Sequence, residues 1–284
     1  MQVSTDGHSG ATGNRVSKYL LLSVIAVLFI TPVAFMLIGA FKPDANVISE
    51  GDSWKAFWPT NATLENFGDA FQRARFGKLF MNSVIIAVPT VALGLLVNSL
   101  VGYALARLPF RGSRLILLSI VALTIIPLEA VAIPLLYMVS EFGWRNSYHV
   151  QILPFVANPL FIYLFYTLFL AIPKDLEEAA KIDGAGPATI FLRIVAPLAK
   201  PAYATVGILS FLFIWGQLLW PVLVTSGPDF RPLPLGMSVF ITQPPISWGD
   251  IMAFALMMVL PLMAVFIVFQ RWFIQSVASS GVKG

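Results

Sequence analysis

These 284 residues hold few groups able to make or break a bond. There is no cysteine, which excludes disulfides and thiolate metal sites. His8 and His149 stand alone, without metal-ligand spacing, and solvated loop positions account for both. No nucleophile sits beside a candidate base, and no G-x-x-x-x-G-K-[ST] run is present to cradle nucleotide phosphates. The chain therefore reads as a non-enzyme. What remains is recognition chemistry at three places. Glu129, in "TIIPLEAVAIPLLYM", is a single carboxylate in an apolar run. "FIWGQLLWPV" (213–222) sets aromatic rings around an amide, and "PKDLEEAAKIDGAG" (173–186) is acidic, then small, then punctuated by glycine.

The elements that must carry these groups are greasy. The chain is 58% hydrophobic and 11% charged, with a mean hydropathy of +0.82. A soluble domain carries about 25% charge, so lipid is the expected solvent. Crossing a core of about 30 Å at about 1.5 Å per residue takes about 20 apolar residues. Six segments qualify, near 19–41, 80–106, 115–139, 150–172, 199–224 and 251–274. Their apolar runs are continuous and too long for barrel strands. The expected fold is an all-α integral membrane protein of six transmembrane helices, with a polar tail at 1–18, the membrane domain at 19–275 and a second tail at 276–284. The first span is long for a signal-peptide core and no small-residue cleavage site follows it, so it reads as retained.

The net charge of +4 forms no basic stripe, so no nucleic-acid partner is expected. Basic residues report direction instead. With the N-terminus cytoplasmic, Arg15, Lys18, Arg107, Arg111, Arg114, Lys174, Lys181, Arg193, Lys200, Arg271 and Lys283 fall inside. Lys42, Lys55, Arg73, Arg75 and Lys78 share the longest outer loop with acidic residues, where they weigh less. Both termini and the insert at 173–198 come out cytoplasmic. In the outer segment 63–80, Leu64, Phe67, Ala70, Phe71 and Ala74 have helical spacing after an N-cap at Thr63. A helix lying on the membrane surface and a docking site for an external partner both fit it. The proline-rich loop 225–250 either caps the bundle or reaches a partner.

A carboxylate in mid-span costs about 2.5–3.5 kcal/mol on insertion scales, so Glu129 should face the bundle interior or water. Pro127 and Pro134 can bend its helix there. Two readings stand: a polar point on a solute path, or a partner for a neighbouring helix. A lone acid without a buried base fits a proton- or sodium-coupled carrier poorly. In a continuous fifth span Phe213, Gln217 and Trp220 share one face. A ring stacking on sugar C–H groups beside an amide bonding hydroxyls is one reading, and aromatic packing between helices is the other. Asn82, Asn98 and Asn158 are further polar positions at or inside span boundaries, available to a path or as glue between helices.

The insert has its own punctuation. Pro173 breaks the preceding span. Asp175 reads as an N-cap with Glu178 three residues on, close to a capping box. Glu177 and Glu178 meet the positive end of the helix dipole. Leu176, Ala179, Ala180 and Ile182 supply an apolar side and Gly184 a stop. Gly186 permits a turn and Pro187 opens a second helix. Ile190, Phe191 and Ile194 form that helix's stripe, and Pro197 closes it. A helix–turn–helix elbow results.

The run "EAAKIDGAGPATIFLRIVAP" resembles the EAA motif of permease subunits in binding-protein-dependent ABC importers. The matching residues are Glu178, Ala179, Ala180, Gly184, Ile194 and Pro197, with Ala196 where the family usually has leucine. "NS" at 82–83, "YALARLPFRG" at 103–112 and the terminal "GVKG" resemble the MalG-type permeases of carbohydrate importers. So does Trp215-Gly216-Gln217-Leu218-Leu219-Trp220-Pro221, although Gly216 replaces the family's asparagine, whose role is not carried over. The resemblance implies a non-catalytic permease subunit in a bacterial inner membrane, paired with a second homologous permease to form half of a path. Glu177, Glu178, Ala179, Ala180, Asp183 and Gly184 would couple it to a cytoplasmic ATPase dimer. The chain itself would bind no cofactor, ATP and Mg residing on the ATPase. The tail ending "GVKG" would touch that dimer, and an extracytoplasmic solute-binding protein would deliver cargo. Glu129, Asn158, Phe213, Gln217 and Trp220 are the candidates for the path. The cargo is expected to be a sugar or sugar-like solute; glycerol-3-phosphate or glycerophosphodiesters are the alternative. A stand-alone secondary transporter is the rival class.

Overall fold

The computed structural model describes residues 9–281, with side-chain surroundings for 17–271. Among the described residues every regular element is helical. The main helices are α1 (Ser9–Ala40), α2 (Glu65–Arg73), α3 (Phe76–Arg107), α4 (Ser113–Leu123), α5 (Leu128–Glu141), α6 (His149–Val156) and α7 (Pro159–Leu170). They continue with α8 (Asp175–Ile182), α9 (Pro187–Leu198), α10 (Lys200–Trp215), α11 (Leu219–Val224) and α12 (Trp248–Gly281). The described part of the expected N-terminal tail is helical from Ser9. Val282–Gly284, most of the "GVKG" segment, lie outside the described residues.

Four stretches are long and apolar enough to cross a bilayer: Ser17–Ala40, Phe76–Arg107, His149–Leu170 and Trp248–Arg271. Two more candidates are bent pairs, α4 with α5 at 101° and α9 with α10 at 78°. Counting each pair as one span gives six. The expected third span is thus not one continuous helix. Thr124, Ile125 and Ile126 donate backbone bonds to Val121, Ala122 and Leu123, three residues back, which tightens the end of α4. Pro127, with no N–H to extend the ladder, sits extended before α5. The expected fifth span, 199–224, also breaks: α10 ends at Trp215 and α11 begins at Leu219.

The chain packs as two units. One runs to Arg73 and adds Phe240–Met257. It buries Phe240 and Phe254, whose ring centroids lie 5.3 Å apart, together with specific polar groups. Asn66 Nδ2 donates to the carbonyls of Ala40 (2.9 Å) and Lys42 (2.6 Å). Arg73 pairs with Asp250 at 2.7 Å and donates to the carbonyls of Gln243 and Pro245. Of the expected apolar stripe Ala70 and Ala74 are buried and Phe67 is half-buried against Phe41, whereas Leu64 and Phe71 stay exposed and the polar Asn66 is buried instead. The helix also stops at Arg73; Arg75, at φ +51°, separates it from α3. Thr63 Oγ1 accepts from Glu65 N at 3.1 Å, but the Leu64 carbonyl accepts the first helical bonds, so Leu64 and not Thr63 holds the N-cap position.

Lys42, counted above as an outer-loop charge, is 1% exposed. Its Nζ donates to Glu50 Oε2 (2.9 Å) and to the Lys55 carbonyl, and the Thr60 hydroxyl also donates to Glu50. The lysine hydrogen bond, then the threonine one, hold the Glu50 carboxyl below its ordinary value of 4.5. A carboxyl depressed in the folded state adds stability above its unfolded value and loses it as pH falls through the folded one. Loop 42–60 should loosen on acidification below pH 4.5, read as sharper nitroxide lines from a label at Asp52→Cys. Glu50→Gln should already show the loose spectrum at pH 7.

The second unit comprises Ala74–Val239 and α12 from Met258 onward. In it α3 lies close along α7: a Cβ added at Gly102 would meet Phe165 Cβ at 2.7 Å and Tyr166 N at 3.0 Å, so only glycine permits this approach. Asn98 stitches the α6–α7 break, donating to the Val156 carbonyl (3.1 Å) and accepting from Asn158 N (2.9 Å). Tyr103, Phe161, Phe165, Phe169, Ile190, Phe191, Val195 and Val206 form its main core. At the other end of α3, Asn82 Nδ2 donates to the Asp229 and Arg231 carbonyls at 2.9 Å and reaches Pro228 O at 3.4 Å. Its Oδ1 accepts from the Tyr148 hydroxyl at 2.7 Å. Ser83 Oγ accepts from Leu233 N, and Gln151 Nε2 donates to the Phe230 carbonyl. The start of the 225–250 loop is therefore clasped to α3 and α6.

Candidate functional site

The elbow is built as a capped helix, a glycine turn and a buried return. α8 begins directly at Asp175; Lys174 precedes it in helical conformation and makes no side-chain cap bond. The expected N-cap and capping box at Asp175 and Glu178 are therefore corrected: Asp175 is the first helical residue. Asp175, Glu177 and Glu178 instead meet the dipole's positive end within the first turn. At the far end Gly184 N donates to Lys181 O (3.0 Å) and Ala185 N to Ala180 O (2.9 Å). With Gly184 at φ +81°, this is the paired-bond C-terminal stop that glycine favours. Gly186 lies at φ −76°, open to any residue. A Cβ at Gly184 would touch nothing within 4 Å, so Gly184→Ala should cost only the left-handed backbone penalty, about 1–2 kcal/mol. Amide exchange at 183–186 should speed up while the core at Phe165 and Phe169 stays protected.

The acidic-small run divides by face. At about 100° per residue, Glu178, Ile182, Ala179 and Asp183 occupy one arc of α8. All four are exposed, Ile182 at 87%. Glu177 turns inward and is buried, and Ala180 packs against the core. Leu176, Ala179, Ala180 and Ile182 therefore do not form one apolar side. Beyond the turn, α9 buries Ile190, Phe191 and Val195, not the expected Ile194. The cause is a π-turn over Phe191–Val195, closed by Ala196 N donating to Phe191 O, which advances the register by one residue. Pro197 does not stop α9; the 78° bend follows Leu198.

Arg107 is the residue that sequence reading missed. It ends α3, its Nη2 donates to the carbonyls of Phe169 (2.6 Å) and Ile172, and its Nε lies 3.0 Å from Glu177 Oε1. Its place in "YALARLPFRG", one turn past buried Tyr103, was the available signal.

The path candidates are not brought together on one helix face, because Gly216–Leu218 interrupt it. Phe213 is partly exposed on α10 and contacts the Phe155 ring at 6.3 Å. Gln217 sits in the break, its Nε2 enclosed and without a hydrogen-bond partner among the described residues. Trp220 is fully buried, donates to the Val150 carbonyl at 2.9 Å and packs with Val139 and Val224. Asn158 caps α7, accepting from Leu160 N and Phe161 N. Glu129 is exposed in the first turn of α5, just past the 101° bend. Glu129 and Gln217 are thus polar groups at breaks in candidate spans; Asn158 and Trp220 have structural partners.

These features define a helical protein with four to six candidate membrane spans and an exposed, glycine-stopped elbow. The model of the binding-protein-dependent transport system inner membrane component family matches residues 98–279, more than half of the chain. The chain belongs to that family. It is 34% identical over 261 residues to the arabinooligosaccharides transport system permease protein AraQ of Halalkalibacterium halodurans, covering 92% of this chain and 93% of that one. It is 33% identical to the diacetylchitobiose uptake system permease protein NgcG of Streptomyces coelicolor, covering 89% and 84%, respectively. It is also 33% identical to the melibiose/raffinose/stachyose import permease protein MelC of Bacillus subtilis, covering 93% and 95%. In fold it is similar to a chain from a crystal structure of a bacterial ABC transporter involved in the import of the acidic polysaccharide alginate. That match has a TM-score of 0.82 at 21% identity, over 95% of this chain and all of that one. The chain is accordingly a permease, a non-catalytic membrane component, as its motif-poor sequence predicts.

Proposed function

We propose that this permease forms half of an import path for a sugar or oligosaccharide, paired with a second homologous permease. Both termini lie in the cytoplasm. A cytoplasmic ATPase dimer, holding ATP and Mg, drives the path through α8, and an extracytoplasmic solute-binding protein supplies cargo. The observation that carries the coupling reading is the exposed arc of α8. An isoleucine that protrudes between Glu178 and Asp183, beside the small Ala179, is a poor surface for water and a good one for a partner's cleft. The Val282–Gly284 tail joins the same cytoplasmic contact in this reading.

Support for a carbohydrate cargo comes from the relatives, which are named for arabinooligosaccharides, diacetylchitobiose and melibiose-type sugars. Neutral polar groups suit such cargo, and Gln217 offers an unpartnered amide at a helix break. Titration calorimetry of the partner solute-binding protein against arabinotriose, diacetylchitobiose, raffinose and glycerol-3-phosphate tests the class. Binding of at least one sugar and no glycerol phosphate is expected; the reverse pattern would replace the carbohydrate reading. Gln217→Ala should lower uptake of the bound sugar several-fold without lowering assembly.

A further inference from the structure

One buried guanidinium joins three helix ends at the base of the elbow. Arg107 is the last residue of α3, and Glu177 lies in the first turn of α8; their side chains are 3% and 5% exposed and meet at 3.0 Å. Arg107 Nη2 also donates to the carbonyls of Phe169 and Ile172, at and just past the end of α7. The Phe169 carbonyl also accepts from Ile172 N at 3.1 Å, and both carbonyls lie where the helix end carries partial negative charge. The cation thus answers the C-terminal end of α7 and, through Glu177, the N-terminal turn of α8. Along the chain Ala171–Lys174 connect the two helices, and on the other side of α8 Ala180 packs against the core. Burial leaves the ion pair little screened by salt.

We propose that Arg107 and Glu177 are a positioning latch, which makes α8 move as one body with the ends of α3 and α7. Force applied at the exposed arc of α8 then reaches two candidate spans instead of being absorbed in the Ala171–Lys174 linker. A lysine at 107 keeps the charge but not the fork that serves several acceptors at once. The latch rests on the coupling reading above.

The test is a nitroxide pair at Leu100→Cys on α3 and Leu176→Cys on α8, in the assembled transporter with cysteine-free partner subunits. Distances are measured without nucleotide and after trapping with Mg-ATP and vanadate. With the native pair, one narrow distribution should hold in both states. With Glu177→Ala or Arg107→Lys, the trapped-state distribution should widen at least twofold while the ATPase subunits still co-purify. If single variants fail to assemble, Arg107→Met with Glu177→Leu decides, because an apolar pair of similar volume commonly preserves stability. Native widths in that double variant would overturn the latch alone. A native chain that binds no ATPase would overturn the coupling reading and the latch with it.

Discussion

Ile182→Glu should abolish ATP-driven uptake while leaving the chain folded in the membrane. Ile182 is 87% exposed, so its own fold spends nothing on the substitution. Surface changes away from specific contacts usually shift stability by no more than about 0.5 kcal/mol. In a partner's cleft the same change buries a third carboxylate beside Glu178 and Asp183. Truncation of a central interface residue commonly costs about 2 kcal/mol or more, and an unpaired buried charge costs further. At 1.4 kcal/mol per factor of ten, the ATPase should be held at least about 25-fold more weakly. Co-purification of ATPase subunits with wild-type and Ile182→Glu chains reads this directly. Lys181→Ala, off that arc, is the control and should retain most of the ATPase. Equal recovery with Ile182→Glu would place the contact elsewhere.

The second large effect is expected at the other end of α3. Asn82→Ala removes the amide that serves the Asp229 and Arg231 carbonyls and accepts from the Tyr148 hydroxyl. A polar group left buried without a partner costs about 1–3 kcal/mol; of the three that lose theirs, Arg231 and Tyr148 are half-buried and Asp229 is exposed, so water can serve part of the loss. The neighbouring Lys78–Asp229 pair lies at 2.9 Å but is largely exposed, which makes it worth about 0–1 kcal/mol. Asn82→Ala should therefore release the segment 226–233, seen as loss of amide-exchange protection at Leu233. Lys78→Ala should leave it protected. Equal protection in both variants would mean that Ser83 and Gln151 hold the loop unaided.

Much of this architecture is written in composition. Continuous apolar runs of more than 20 residues have few alternatives to helices in lipid. The breaks inside them are harder to read, because Pro127 and Gly216 interrupt runs whose hydropathy does not change. Prolines are uninformative singly: Pro89 and Pro261 lie inside helices α3 and α12 that remain single elements. The elbow was legible to its glycine, since Gly184 takes the left-handed conformation its position predicts. The division of Glu177 from Glu178 was also available, as 100° of helical rotation separates neighbours. The substitution of Val195 for Ile194 in the core was not, because a single π-turn leaves no mark on periodicity. Lys42 and Arg107 were counted as topological charges. Their roles depend on carbonyls contributed by distant residues, Lys55 for one and Phe169 and Ile172 for the other.

Driving through α8 is the central claim, and site-directed photocrosslinking tests it most directly. A benzophenone amino acid replaces Ile182 in the assembled transporter, which is irradiated without nucleotide and after Mg-ATP/vanadate trapping. The account predicts an adduct with an ATPase subunit in both states, and none from the same probe placed at Leu212 on α10, partly exposed inside a candidate span. An Ile182 adduct with only lipid or the second permease would contradict it.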